Sequence, residues 1–250
     1  MGSKDSTIYT PALTIVSQCF SLEVPNLIDI GLQRDVLSHY HELLGSSDTT
    51  CITEALWGLS NITASTKDHI YRVFMCEDLV DSVLTFMSHS HERLRAEALF
   101  VISNAINAAD SNHLKRLLEL KGCSLVEPMT QALERGHEAD LILNILEALT
   151  KLLDLDSQYS EVFNGHNTVC ITIESVGGFD KVESLLKEKN RDVFLAAQNV
   201  MNRYQDATAV SSTKGYNLSP LPSLRGLLLS NGTNTSNELA QINRQAIFEI

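Results

Sequence analysis

The stretch TEALWGLSNI at residues 53–62 recurs 43 residues later as AEALFVISNA at residues 96–105. Both copies place an aromatic residue four positions before an asparagine. Weaker copies are TPALTIVSQC at residues 10–19 and DLILNILEAL at residues 140–149, which gives spacings of 43, 43 and 44 residues, and FLAAQNVMNR at residues 194–203 follows after a longer interval. A fixed period of about 20–50 residues indicates a solenoid of stacked units rather than one closed domain.

Each copy has the apolar pattern of an amphipathic helix. Ala55, Leu59 and Ile62, for example, are separated by four and three residues. Two further helical runs precede each copy, so three helices fill each unit. A period of about 42–47 residues is typical of HEAT and armadillo repeats, and the short–long–long order of the helices favours armadillo. The sequence therefore predicts an all-α fold, an armadillo-repeat solenoid wound into a right-handed superhelix.

The predicted array of about five repeats occupies residues 1–204, and residues 205–250 are predicted to be a flexible polar tail with a short terminal helix. The polar stretch at residues 154–168 is predicted to be a loop that delays the fifth copy. Gly31 and Gly122 are predicted to lie between the first and second helices of their units, where a left-handed or sharply bent backbone ends one helix.

The recurring ring and amide predict a binding surface. Trp57 and Asn61, like Phe100 and Asn104, lie one helical turn apart and therefore on one face. An asparagine in a dry interior costs about 1–3 kcal/mol unless it is fully hydrogen-bonded, so we expect both amides on the concave side of the array. There an amide can bind the N–H and C=O of an extended peptide. The rings can flank a lysine or arginine stem, and Glu97 can meet the charged head.

Each ring taken alone has another interpretation. A single aromatic residue in an amphipathic helix is more often part of the core than of a binding platform. The recurrence of ring and amide in phase with the repeat is what favours a site.

Three stretches carry a family resemblance. TEALWGLSNITAS at residues 53–65 and AEALFVISNAINA at residues 96–108 resemble the third-helix signature of the importin-alpha family of nuclear-import adaptors. ESVGGFDKVESLLKEKNRDVFLAAQNVMNRY at residues 174–204 is similar to the last repeat of that family. The resemblance covers residues 8–204 and corresponds to the C-terminal half of a full-length adaptor.

The resemblance implies a set of site residues and partners. By position, the smaller of the family's two sites for basic localisation signals is formed by Trp57, Ser60, Asn61, Glu97, Phe100 and Asn104. It also makes contacts of the C-terminal repeats with the export receptor and certain nucleoporins possible, and it implies a protein of the cytoplasm and nucleus. Gln18 stands where the family has an asparagine, Phe100 replaces a tryptophan, and Ala148 leaves the fourth copy without an amide. We therefore predict a short ladder of amides and either weak, micromolar peptide binding or a shifted site, rather than tight capture.

Composition argues against several other functions. The net charge of −12, from 31 acidic and 19 basic residues, argues against nucleic acid as a partner, because a phosphate backbone needs a basic surface. The longest apolar runs are far shorter than the roughly 20 residues that cross a membrane, and the N-terminal segment lacks a signal-peptide pattern. The five cysteines are odd in number and contain no CxxC pair, which predicts reduced, intracellular thiols.

The sequence also lacks a recognisable catalytic motif. It contains no Gly-rich phosphate loop, GxSxG elbow or HExxH motif, so we predict neither an enzyme nor a cofactor. His39 and His41 are two residues apart and point away from each other on a helix, and His89 and His91 fall in a connecting turn. We therefore predict solvated histidines rather than metal ligands.

Two functions remain after these steps. The first is a nuclear-import adaptor that binds basic nuclear localisation signal peptides of cargo proteins in a concave groove. The second is a general armadillo scaffold that holds other proteins through its convex or C-terminal surface and does not bind localisation signals.

Overall fold

The computed structural model describes residues 6–22, 24–134, 137–158 and 168–213. This part of the chain consists of helices joined by turns and contains no strand. The helices are α1 (Ser6–Phe20), α2 (Pro25–Gln33), α3 (Val36–Leu44), α4 (Thr49–Thr63), α5 (Lys67–Phe74), α6 (Glu77–Phe86), α7 (Glu92–Ala108), α8 (Ser111–Lys121), a 3₁₀ helix (Gly122–Leu125), α9 (Val126–Gln131), α10 (Ala139–Gln158), α11 (Thr168–Ser175), α12 (Gly178–Leu185) and α13 (Arg191–Thr213). None of these described helices combines the length and the hydropathy that a membrane span requires.

The helices are grouped in units of three. The units are α2–α4, α5–α7, α8–α10 and α11–α13, and α1 precedes them as the third helix of a further unit. The third helices α1, α4, α7, α10 and α13 pack in a row, each against the next. We call the solvent-facing side of this row the third-helix face. The described chain is therefore a solenoid of three-helix units, as its period predicts.

One hydrophobic core runs through all the units, from Leu13 to Val200. On α4 the side chains of Leu56, Leu59 and Ile62 have no exposed surface. Full burial of a side chain of this size contributes about 1.5–3 kcal/mol. Because each unit covers the apolar surface of its neighbour, the units share one core, and each third helix keeps only one side for solvent.

Side-chain caps fix where two of the helices begin. The carboxylate of Asp48 accepts a hydrogen bond from the backbone N–H of Thr50 at 2.9 Å, at the start of α4. The hydroxyl of Thr66 accepts from the backbone N–H of His69 at 3.4 Å, at the start of α5. Such a cap stabilises a helix by about 1 kcal/mol. The fixed start of α4 helps to set which of its residues reach the third-helix face.

The turn between α2 and α3 differs from the prediction. Gly31 lies inside α2, and the left-handed backbone is at Asp35, with a φ of 59°. Gly31 is required for packing instead, because a Cβ at this position would lie 2.4 Å from Cζ of Phe20. Aspartate tolerates the left-handed conformation better than most residues other than glycine. Gly122 lies between α8 and α9, at the start of the 3₁₀ helix, as predicted.

Two helices extend past predicted boundaries. α10 continues to Gln158, so residues 154–158, which were predicted to belong to a loop, are helical. α13 continues past residue 204, the predicted end of the array, to Thr213. Residues 159–167 of the predicted loop and residues 214–250 of the predicted tail lie outside the described residues.

Candidate functional site

The residues predicted to bind a peptide lie on two neighbouring third helices. Trp57 and Asn61 are on α4, and Glu97, Phe100 and Asn104 are on α7. The two helices pack directly against each other. All five side chains are half-buried, so they are set into the third-helix face and still have accessible surface.

Ser60, the sixth predicted residue, is placed differently. Its side chain is buried, with 6% of the residue exposed. Its hydroxyl donates a hydrogen bond to the carbonyl oxygen of Trp57 at 2.8 Å, within α4. Ser60 therefore contributes its backbone to the surroundings of the site, whereas its hydroxyl is already used inside the helix.

The two asparagine amides are held by the preceding third helix. Nδ2 of Asn61 donates to the carbonyl oxygen of Ser17 on α1 at 3.3 Å, and Nδ2 of Asn104 donates to that of Ser60 on α4 at 3.1 Å. These bonds fix the orientation of each amide on the surface. The carbonyl oxygen of the Asn61 side chain has no hydrogen-bond partner among the described residues.

Asn104 is further linked to α10. Its Oδ1 accepts from Nδ2 of Asn144 at 2.6 Å, and Nδ2 of Asn107 donates to the carbonyl oxygen of Asn144 at 3.0 Å. The amide of Asn104 is thus engaged on both sides, unlike that of Asn61. Asn107 and Asn144 were not predicted from the sequence. Their only signal was the presence of two more asparagines within a turn of the repeated pattern.

The third-helix face repeats one triplet of residue types. In α4, α7, α10 and α13 an acidic residue is followed three positions later by an apolar residue, and four positions after that by an amide or a second acid. The triplets are Glu54, Trp57 and Asn61; Glu97, Phe100 and Asn104; Asp140, Leu143 and Glu147; and Asp192, Leu195 and Asn199. Every one of these residues is at least partly exposed.

The triplets correct the predicted register of α10 and α13. The sequence comparison aligned Ala148 with Asn104, but Ala148 is fully buried, whereas Glu147 is exposed. The equivalent of Asn104 in α10 is therefore Glu147. In α13 the triplet begins at Asp192, ahead of the copy that was predicted at residues 194–203. The apolar run LILNILEAL in α10 supplies core residues whether Glu147 or Ala148 is aligned with Asn104. The hydrophobic pattern alone therefore could not decide between these two alignments.

Two carboxylates share the half-buried region between α4 and α7. Burial raises the pKa of Glu97 to about 7; Arg93 opposes this rise, and Glu54 and Glu138 add to it. Oε2 of Glu54 is buried and has no hydrogen-bond partner. Leaving a charged oxygen buried without a partner costs free energy, so this part of the surface favours an added cation.

Close packing beneath α4 positions Trp57. A Cβ on Gly58 would lie 2.2 Å from the hydroxyl oxygen of Tyr40 on α3 and 2.7 Å from Oγ of Ser17 on α1. Oγ of Ser17 also donates to the carbonyl oxygen of Glu54 at 3.1 Å. Gly58 therefore lets α1, α3 and α4 meet in direct contact, directly after Trp57 in the chain.

A second part of the face is open between α10 and α13. We call it the α10–α13 groove. It has a volume of about 420 Å³ and is lined by Leu143, Glu147, Thr150, Lys151, Asp154, Asp192, Leu195, Ala196 and Asn199. Nζ of Lys151 donates to the carbonyl oxygens of Asn107 and Ala109 at 2.8 and 2.5 Å, at the C-terminal end of α7. Asp154 forms an ion pair with Arg203.

The chain is similar in sequence to importin alpha subunits. It is 26% identical to importin subunit alpha-1 of Caenorhabditis elegans over 181 residues, which are 71% of this chain and 32% of that protein. It is 27% identical to importin subunit alpha-5 of Arabidopsis thaliana over 154 residues, which are 60% of this chain and 28% of that protein. The chain thus spans about a third of the length of these relatives. No protein-family model matches it.

The fold is similar to that of solved armadillo-repeat structures. A designed armadillo repeat protein in complex with the peptide (KR)4 gives a TM-score of 0.66 at 19% identity and covers 98% of this chain and 95% of that one. The structure of computationally designed armadillo repeat proteins for modular peptide recognition gives a TM-score of 0.67 at 20% identity and covers 98% of this chain and 95% of that one. The protein ARO (armadillo repeats only protein) of Plasmodium falciparum gives a TM-score of 0.57 at 18% identity and covers 78% of this chain and 79% of that one. The predicted all-α armadillo solenoid is confirmed, with importin-alpha-like repeats.

Proposed function

We propose that this chain is a peptide-binding adaptor that takes extended, basic peptides of the nuclear localisation signal type across α4 and α7. The observation that carries the proposal is the carboxylate pair of Glu54 and Glu97. One oxygen of Glu54 is buried without a partner, and burial raises the pKa of Glu97 to about 7. Both side chains are only half-buried, so a lysine or arginine from a bound peptide can approach their accessible sides and supply a counter-charge.

The amides supply contacts to the peptide backbone. Third helices that pack side by side are about 8–10 Å apart, and an extended peptide advances about 3.3 Å per residue. A peptide that crosses the row therefore meets a new helix every two or three residues. The side-chain oxygen of Asn61 is free to accept a backbone N–H, since its Nδ2 is already fixed by Ser17.

The rings add affinity for basic side chains. Trp57 and Phe100 each stand three residues after one of the two carboxylates. The hydrocarbon stem of a lysine or arginine lies against such a ring while its charged head reaches the carboxylate. The ring and the acid together select a basic residue over an apolar or acidic one.

Similarity to other proteins supports the finer assignment. The sequence relatives are importin alpha subunits, and a designed protein of the same fold was solved with the basic peptide (KR)4. We therefore assign the chain a role as a nuclear-import adaptor of the cytoplasm and nucleus. In the same role, α11–α13 are the surface for an export receptor or nucleoporins.

Binding of fluorescein-labelled (KR)4, followed by fluorescence anisotropy, tests the site. We expect a micromolar dissociation constant that rises about 2–10-fold in Asn61→Ala, because one hydrogen bond contributes about 0.5–1.5 kcal/mol. Asn202→Ala, which removes an exposed amide of α13 outside the triplets, is the matched control and should bind as the wild type does. Equal affinity of Asn61→Ala and wild type, or affinity that ignores salt concentration, would contradict the proposal.

A second candidate function, a protein scaffold, is favoured by an apolar patch on the first helices. Tyr71, Met75 and Leu120 of α5 and α8 are exposed by 45%, 52% and 45%. Together with Phe74 and Leu117 they line a small hollow. A partner that binds wild type and Asn61→Ala equally, and that Leu120→Glu releases, would identify this patch as the functional surface.

A further inference from the structure

We infer that the α10–α13 groove is a second cation-binding subsite, which takes a lysine or arginine about five or six residues along the same peptide from the one held between α4 and α7. The inference rests on the proposed function of the third-helix face and extends it to two helices whose triplets contain no aromatic residue.

The repeated triplet continues from α7 into α10 and α13. Glu147 and Leu143 stand in α10 where Asn104 and Phe100 stand in α7. In α13 Asp192 and Leu195 keep the acid and the apolar position. The α10–α13 groove therefore lies on the same side of the row as the proposed site. Leucine replaces the ring in both helices, a carboxylate replaces the amide in α10, and α13 keeps an amide at Asn199.

Negative charge remains available in the groove. Among its lining carboxylates, Asp154 is paired with Arg203. Glu147 and Asp192 are exposed, and their carboxylates have no partner in the part of the chain that the structure describes. The one lysine of the lining, Lys151, directs its ammonium group to the end of α7. The groove thus offers two carboxylates that no cation of the described chain neutralises.

Apolar surface lies beside those carboxylates. Leu195 is 43% exposed, and Leu143 is half-buried. Lysine and arginine side chains combine a hydrocarbon stem with a charged head, so they match a surface of leucine next to carboxylate. The volume of about 420 Å³ is within the range of roughly 300–1,000 Å³ that is usual for ligand sites. The amide of Asn199 is exposed in the same lining and can bind the peptide backbone.

The spacing of the two subsites follows from the stacking of the helices. α7 packs on α10 and α10 packs on α13, as α4 packs on α7. The middle of the α4–α7 pair and the middle of the α10–α13 pair are therefore two helix spacings apart, or about 16–20 Å. At about 3.3 Å per residue this distance corresponds to about five or six residues of extended peptide.

Peptides with one and two basic clusters test the inference. The probes are fluorescein-labelled KRKGSGSGS, which has one cluster, KRKGSGSKR, in which the second cluster begins five residues after the end of the first, and KRKGKRSGS, in which it begins two residues after. We expect KRKGSGSKR to bind about tenfold more tightly than either of the others. In the double variant Glu147→Gln/Asp192→Asn this gain should disappear, while the affinity for KRKGSGSGS stays unchanged.

A control variant and two possible results distinguish binding in the α10–α13 groove from a general effect of negative charge. Glu188→Gln removes one exposed carboxylate outside the groove and should leave the gain intact. A gain that survives in the double variant, or that is equal for both two-cluster spacings, overturns the inference. The proposed function fails on a different result, when KRKGSGSGS binds wild type and Asn61→Ala equally. If none of the three peptides binds, both are overturned.

Discussion

The two halves of the third-helix face are built on the same helix packing but present different chemistry. Between α4 and α7 the face has aromatic rings and half-buried carboxylates beside its amides, whereas between α10 and α13 it has leucines and exposed carboxylates beside the amide of Asn199. Glu97 is half-buried and Glu147 is exposed. A half-buried carboxylate such as that of Glu97 needs a binding partner to offset the hydration that it has lost. An exposed carboxylate such as that of Glu147 is hydrated before any ligand binds.

Under the proposed function, this difference would give the two halves different affinities for the parts of a bound peptide. The α4–α7 half is expected to select for a particular side chain, because its ring and acid must be satisfied together. The α10–α13 half is expected to select mainly for charge. Binding to the second half should therefore be lost first as salt is added, since exposed charges are screened more than buried ones.

The largest expected effect concerns the backbone contact under α4. Gly58→Ala places a Cβ against the hydroxyl of Tyr40 and should destabilise the fold by about 1–3 kcal/mol, because the packed helices must separate. The equivalent residue of α13 is Ala196, where a Cβ is already accommodated, so Ala196→Gly should cost no more than about 1 kcal/mol. Urea unfolding followed by circular dichroism measures both. Equal losses would show that the two halves are packed alike.

The next largest effect compares the contribution of the Trp57 ring to peptide binding with that of the Leu195 side chain. Trp57→Ala should weaken binding of (KR)4 by about tenfold, because the indole provides both area and a cation–π contact. Leu195→Ala should weaken it by only about two- to threefold, since it removes hydrocarbon contact alone. Anisotropy titrations at one salt concentration give both values. A larger loss at Leu195 would place the main contact in the second half.

A smaller effect concerns the link between the halves. Asn144→Ala removes the hydrogen bond to Oδ1 of Asn104 and should lower stability by about 0.5–1.5 kcal/mol. It should also free the amide of Asn104 for a peptide, so (KR)4 binding should not weaken. Unfolding and titration of the same preparation test the two statements. Loss of binding without loss of stability would mean that Asn144 itself contacts the peptide.

The smallest effect is a pH dependence confined to the first half. Burial raises the pKa of Glu97 to about 7 from its ordinary value of 4.5, so the group is mostly neutral at pH 6 and mostly charged at pH 8. Binding of (KR)4 should therefore strengthen about threefold over this interval, and the change should vanish in Glu97→Gln.

The same group has the opposite effect on folding. Its folded-state pKa is raised, so the folded state binds the proton more tightly, and stability falls as pH rises from about 4.5 through about 7. Glu97→Gln should accordingly raise the melting temperature at pH 8 relative to wild type. A melting temperature that is unchanged at pH 8 would mean that the carboxylate is well solvated.

The sequence was sufficient for the repeat, the helices and the pairing of α4 with α7. These features depend on hydrophobic period and on residues that recur unchanged, such as Asn61 and Asn104, and both are visible in one chain. The alignment of α10 with α7 was not predictable, because its apolar run fits the core equally well when it is shifted by one residue. Burial distinguished Glu147 from Ala148 where the pattern did not.

Features that depend on contacts between distant residues were also beyond the sequence. Gly31 was expected in a turn on the grounds of its backbone freedom, but its role is to admit the ring of Phe20 from another helix. The turn is made by Asp35 instead. The unpaired oxygen of Glu54 has no sequence signature, since it results from how α4 and α7 are packed.

The amides of Asn61 and Asn104 are both oriented by a main-chain carbonyl of the helix before them. Every residue has such a carbonyl, so the acceptor survives any change of side chain at its position. A duplicated repeat inserted into this chain would find its asparagine correctly aimed from the outset, without a compensating mutation in its neighbour. Arrays of this kind can therefore be lengthened by gene duplication, one recognition element at a time.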